Sequence, residues 1–141
     1  MKLIKMAGVV AALVVGFYTP TLLKNFSSSS TLKPLDEYCF LSTSPCEQQG
    51  VSMMLDVEVP QPLVPAQLTV DWEDSQAEQL ILTLAGREMD MGQPKYILKQ
   101  VSPGKYQGEL LLPVCIQDSM TWVGELTDGQ STLYPALKMH R

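Results

Sequence analysis

The sequence predicts an all-β protein, an immunoglobulin-like antiparallel β-sandwich of about seven strands preceded by a single N-terminal transmembrane helix. Three observations lead to this prediction. An uncharged apolar run lies near the N-terminus, apolar and polar residues alternate from Val51 onward, and turn-forming residues separate the alternating segments. A chain of 141 residues has room for one domain and a tail.

The N-terminal run has no charge from Met6 to Tyr18 and stays mostly apolar to Leu23. About 20 helical residues cross a bilayer core of ~30 Å, so the run is just long enough to span. Lys2 and Lys5 precede it, and the cytoplasmic flank of a span usually carries the positive excess. We therefore expect a single-pass protein of the inner (cytoplasmic) membrane with its C-terminal domain on the periplasmic side. A cleaved signal peptide stays open as the alternative, although no small-residue cleavage site follows the run.

The predicted organisation has three parts: a signal-anchor at 1–23, a polar spacer at 24–37 and an exported β-sandwich domain at 38–141. All fifteen acidic residues lie beyond Lys24, against eight Lys and Arg from that residue onward. An acidic domain is repelled by phosphate backbones. The charge therefore excludes nucleic acid as a partner.

Seven segments of the exported part alternate between apolar and polar side chains, as strands with one buried face do. They lie at 51–59, 68–72, 80–84, 96–98, 106–112, 120–126 and, as a possible last strand, 132–137. Ser102-Pro103-Gly104 and Asp128-Gly129 are turn sequences between them. Trp122 falls on the apolar side of its segment, which predicts a core position.

The chain has three cysteines, Cys39, Cys46 and Cys115. Disulfides persist in the oxidising space outside the cytoplasm. The short separation of Cys39 and Cys46 predicts that these two form a disulfide and leave Cys115 as a thiol. Pairing of Cys115 with either of the others stays open from the sequence alone.

The sequence offers no catalytic constellation. Its one histidine, His140, is one residue from the C-terminus, where we expect a frayed tail that cannot hold a general base in register. Gly-rich phosphate loops, nucleophile elbows and zinc-binding motifs are absent from the sequence. We therefore predict no catalytic residues and a protein that is not an enzyme.

Sulfur is the one chemical signal of the sequence, which has eight methionines. Thioether and thiolate sulfur are soft ligands that select Cu(I). Gly86 and Gly92 would give the intervening Met-Asp-Met loop freedom to turn. The candidate Cu(I) ligands are Met89, Met91, Cys115 and Met120. The alternative is that these methionines fill the core, because Met is a flexible apolar side chain.

Three sequence stretches resemble one family of small domains. They are Leu-Ala-Gly-Arg-Glu-Met-Asp-Met-Gly at 84–92, Ser-Pro-Gly-Lys-Tyr-Gln-Gly-Glu-Leu-Leu-Leu-Pro-Val-Cys at 102–115, and Met-Thr-Trp at 120–122. Together they resemble the FixH and YtkA-like group over about residues 80–126. The resemblance implies a membrane-anchored, immunoglobulin-like domain associated with cytochrome oxidase assembly and copper supply.

These observations predict two alternative functions. The first is a membrane-anchored periplasmic accessory module that assists assembly or copper loading of a respiratory oxidase. The second is a metal-free structural or protein-interaction domain of the cell envelope, docking through a sheet edge or a loop surface. In both cases the expected partners are the membrane, through the N-terminal helix, and another envelope or respiratory membrane protein.

Overall fold

Strands dominate the part of the chain that the computed structural model describes, residues 32–141. This confirms the predicted all-β fold. Within that range no helix has the length and apolar character needed to cross a membrane. The predicted anchor at 1–23 and the first part of the predicted spacer lie outside the described residues.

The described elements are one 3-10 helix, at Leu35–Glu37, and ten strands. The strands are β1 (Cys39–Phe40), β2 (Cys46–Gln48), β3 (Val51–Leu55), β4 (Ala66–Asp71), β5 (Gln79–Gly86), β6 (Lys95–Ser102), β7 (Lys105–Leu110), β8 (Ser119–Thr127), β9 (Thr132–Leu133) and β10 (Pro135–His140).

Seven of these strands, β3 to β8 and β10, have five or more residues and correspond to the seven predicted segments. The other three have two or three residues each, which is too short for an alternating pattern to be recognised. The last strand also extends further than the predicted 132–137. His140 therefore belongs to β10, and its N–H donates to the Pro60 carbonyl at 3.2 Å, so the expected frayed tail is an ordered strand end.

Hydrogen bonds join all ten strands between residues 32 and 141 into one sheet, nearly closed into a barrel. The order is β1-β10-β8-β5-β6-β7-β4-β3-β2, and β9 pairs with β8 off this path. Every pair is antiparallel except β1 with β10, which is parallel. Alternate side chains of the strands fill the interior, where Trp122 is fully buried, as predicted.

The two ends of this sheet, β1 and β2, meet at a junction that we call the seam. The disulfide between Cys39 in β1 and Cys46 in β2 crosses it, with the two Cα atoms 5.8 Å apart, an ordinary separation for a disulfide. This confirms the predicted pairing. Cys115 is left as a buried free thiol.

A second link across the seam comes from the side-chain amide of Gln48 in β2. Its oxygen accepts a hydrogen bond from the Tyr134 N–H at 2.7 Å, and its nitrogen donates to the Glu37 carbonyl at 3.1 Å. One side chain therefore pairs two main-chain groups that no strand partner reaches. The seam is closed by one covalent bond and one bidentate amide.

Replacing both seam cysteines by alanine should lower the free energy of unfolding by roughly 2–3 kcal/mol, because the short loop between them is then unconstrained in the unfolded chain. Urea denaturation of the double variant and of wild type measures the difference. Reduced wild type should match the double variant. A difference below about 0.5 kcal/mol, the size of an ordinary surface substitution, would show that the seam holds without its disulfide.

Candidate functional site

The four predicted sulfur ligands lie at one end of the sheet, where β3, β5, β7 and β10 finish and β4, β6 and β8 begin. We call this the loop end. Met89 and Met91 are in the loop 87–94 between β5 and β6, and Cys115 is in the loop 111–118 between β7 and β8. Met120 is the second residue of β8. The topology therefore brings all four to the same end of the domain.

Their side chains face the core to different degrees. Cys115 and Met120 are buried, with 1% and 2% of their surface exposed. Met89 and Met91 are half-buried and pack against the same core. The Cys115 Sγ accepts a hydrogen bond from the Gln117 N–H at 3.4 Å. All four sulfurs thus belong to side chains that also serve packing.

Gly86 explains how the Met120 side chain lies beside the main chain of the loop 87–94. A Cβ on Gly86 would overlap both the Met120 methyl carbon Cε and the Met89 carbonyl oxygen. The absence of a side chain therefore makes room for the Met120 thioether beside the Met89 main chain. This differs from the expected role of Gly86 in a turn. Gly92 has that role, with φ at +75°.

The loop 87–94 is tied to β8 through Thr121. The Arg87 N–H donates to the Thr121 carbonyl at 2.9 Å, and the Glu88 carboxylate accepts from the Thr121 N–H at 2.8 Å. Partial burial acts to raise the pKa of Glu88, but the Thr121 hydrogen bonds and the nearby Arg87 charge outweigh it. The pKa of Glu88 is therefore lowered from its ordinary value. The Glu88 carboxylate therefore holds the start of the loop 87–94, which we call the methionine loop.

Between residues 32 and 141 no three His, Cys, Asp or Glu side chains come together as metal ligands do. His140 is exposed, and its Nδ1 lies 2.7 Å from the Arg141 carbonyl. Sulfur therefore remains the only soft donor set that the loop end offers.

Two loops of the loop end also carry exposed apolar side chains, which we call the apolar cap. Ile116 is 84% exposed and Leu63 is 61% exposed. The Leu63 N–H donates to the Leu112 carbonyl at 3.0 Å, so the two loops lie side by side. The cap consists of Leu63, Val64, Leu111, Val114 and Ile116.

Sequence reasoning missed the apolar cap, although a signal for it was present. Loops are normally polar, yet two of the loops are apolar. Leu63 and Val64 follow Pro62 in the first, and the second is apolar from the end of β7 to Ile116. The segment 111–116 lacks the strict alternation of a strand. Consecutive apolar residues outside a periodic segment are the pattern that would have revealed an exposed patch.

Comparison of the chain with protein-family models, with curated proteins and with solved structures finds no match.

If the Glu88 carboxylate holds the methionine loop, Glu88→Gln should change the pH dependence of stability. A lowered folded pKa gives stability that is present above the unfolded pKa, near 4.5, and is lost as the pH falls through the folded pKa. Wild type should therefore be the more stable protein at pH 7, by up to about 1 kcal/mol because the group is largely exposed. The gap should narrow as the pH falls below the unfolded pKa. Urea titrations at pH 3, 5 and 7 test this, and an offset that is constant at every pH would contradict it.

Proposed function

We propose that this protein is a binding module of the cell envelope rather than an enzyme. In this proposal residues 1–23 hold it at the inner membrane, and the apolar cap docks on another envelope or respiratory membrane protein on the periplasmic side. The exposure of Ile116 and Leu63 on two adjoining loops is the observation that carries the proposal.

Grouped apolar side chains on a protein surface distinguish interaction sites from the surface around them. Single apolar residues on a surface are normal, whereas a contiguous group marks an interaction site. The Leu63–Leu112 hydrogen bond places the two loops of the cap side by side, so their exposed apolar side chains are grouped rather than scattered. Burying these aliphatic side chains against a partner would remove apolar area from water, at about 25 cal/mol per Å² before the costs of association.

The disulfide supports the proposed compartment. Structural disulfides are rare in the cytoplasm and common in the periplasm, and Cys39–Cys46 closes the seam of the fold. The acidic balance of the domain also argues for a protein partner over anionic lipid heads.

Replacing Val114 and Ile116 by serine should leave the fold intact and weaken docking at least tenfold, because central apolar contacts often contribute more than 1 kcal/mol each. Chemical crosslinking of the full chain in native membranes would measure docking. Val101→Ser is the matched control, since Val101 is 54% exposed near the end of β6 that lies away from the loop end. Equal crosslinking yields for the serine double variant and wild type would reject the cap as the docking surface.

Copper supply is the second candidate function. It is the function implied by the resemblance to the FixH and YtkA-like group, whose domains are immunoglobulin-like. The observation that favours it is the approach of the Met120 methyl to the Met89 main chain at Gly86. The donor set consists only of sulfur, which suits Cu(I). In this proposal Met89, Met91, Cys115 and Met120 hold the ion, and a respiratory oxidase receives it.

A competition titration of the full chain with a Cu(I) chelator tests the copper proposal. Met89→Leu/Met91→Leu keeps the apolar volume and removes two thioethers, so affinity should fall while the fold survives. Met54→Leu, on β3, is the matched control. Thioethers carry no proton, so binding through them should not change between pH 7 and 5, whereas a contribution from Cys115 would weaken on acidification. Unchanged competition by the double variant would end this proposal.

A further inference from the structure

Strand β10 has one open position on the side that faces away from β8. The Leu41 N–H donates to the Ala136 carbonyl at 2.7 Å, and the His140 N–H donates to the Pro60 carbonyl at 3.2 Å. Because main-chain groups of a strand alternate between its two sides, Lys138 points the same way as these two residues. Among residues 32–141 no main-chain group pairs with Lys138 on that side.

The path of the chain creates this gap. Strand β1 runs beside β10 only as far as Phe40. After Leu41 the chain turns towards β3, where the Leu55 N–H donates to the Ser42 carbonyl at 2.8 Å. The next chain segment to reach β10 is the loop at Pro60. The segment at Leu41 and the loop at Pro60 both bond to β10. The N–H and C=O of Lys138 lie between them and, within residues 32–141, have no main-chain partner.

A groove of about 420 Å³ lies beside this position. Its lining is mostly apolar, and it consists of Val59, Gln61, Ser119, Lys138, Met139 and His140. The volume falls within the range of roughly 300–1,000 Å³ that is usual for ligand sites. An apolar groove with an unpaired main-chain donor and acceptor at its side combines the two features that a bound peptide strand needs.

We propose that this groove binds a short, mainly apolar peptide segment of a partner protein, one residue of which pairs its main chain with the N–H and C=O of Lys138. Exposed strand positions pair readily with an added strand, and pockets beside them accept alternate side chains. A lipid chain would fill the same groove but leave both Lys138 groups without a partner, which is unfavourable once water is displaced. No residue that lines the groove belongs to the apolar cap, and the proposal goes beyond the docking function proposed for that cap.

Selection of a ten-residue peptide phage library on the full chain in detergent micelles tests this proposal, with Lys138→Pro and Lys138→Ala as variants. Of the main-chain hydrogen-bonding groups, proline removes the outward N–H, which is not part of the β8–β10 ladder. Enriched peptides should bind wild type and Lys138→Ala equally. They should bind Lys138→Pro about five- to tenfold more weakly, as expected for one lost hydrogen bond.

Two further measurements keep the test decisive if the proline variant does not fold. Val59→Arg places a long side chain in the groove and should abolish peptide binding. Val64→Arg is its matched control, because Val64 is similarly exposed in the same loop but lies in the apolar cap. Hydrogen exchange of the Lys138 amide should slow when peptide is bound.

The proposal is overturned if no peptide is enriched, if a folded Lys138→Pro binds as wild type does, or if Val64→Arg rather than Val59→Arg abolishes binding. Phosphatidylcholine vesicles retained by wild type and not by Val59→Arg would assign the groove to lipid and overturn it as well. None of these outcomes alters the crosslinking test of the apolar cap, so the two proposals fail separately.

Discussion

The fold depends on the two ends of its sheet meeting at the seam. A hydrogen-bonded path of nine strands leaves one unpaired edge at each end, and an open edge would expose both main chain and core. Strands β1 and β2 have only two and three residues, too few to close the sheet through a ladder of their own. The Cys39–Cys46 disulfide and the Gln48 amide supply the missing connection. Cys39 and Leu41 are buried beside this junction, so closure also completes the core.

Closure also determines which surfaces stay available for binding. In the described part of the chain, β7 and β8 are separated in the sheet by β5 and β6, so the connection between them crosses the loop end. This crossing segment buries Leu112 and Cys115 and leaves Val114 and Ile116 exposed. A loop that covers the end of a core needs apolar side chains on its inner side, but nothing in the fold requires them on its outer side. The outer apolar residues of the cap therefore call for an explanation beyond stability.

The sequence predicted the features that have a periodic or chemical signal. Alternation located the seven long strands, and the spacing of Cys39 and Cys46 located the disulfide. Strand pairing across the seam carries no such signal, because β1 and β2 are too short for a period and the Gln48 contacts link residues far apart in the chain. For the candidate site, the sequence identified the sulfur residues but not how deeply their side chains are buried. Side-chain burial at the loop end depends on how two non-neighbouring loops cross, and Gly86 acts through the space it leaves for Met120, which no local pattern reveals.

The methionine side chains of the loop end pack against the core, and the same atoms would have to serve in any binding role. The Thr121 hydrogen bonds hold the start of the loop 87–94, and the Asp90 carboxylate accepts from the Gly92 N–H at 2.9 Å further along. The main chain between these ties is therefore restrained, while each Met side chain keeps three rotatable bonds. A half-buried Met89 or Met91 can turn its sulfur outward without moving the backbone, whereas Met120, opposite Met139 in the β8–β10 ladder, cannot leave the core so easily. Binding at this end would thus draw first on the loop methionines and would cost the core their packing contacts. If the domain binds a metal here, metal affinity and domain stability would be opposed through the same two side chains.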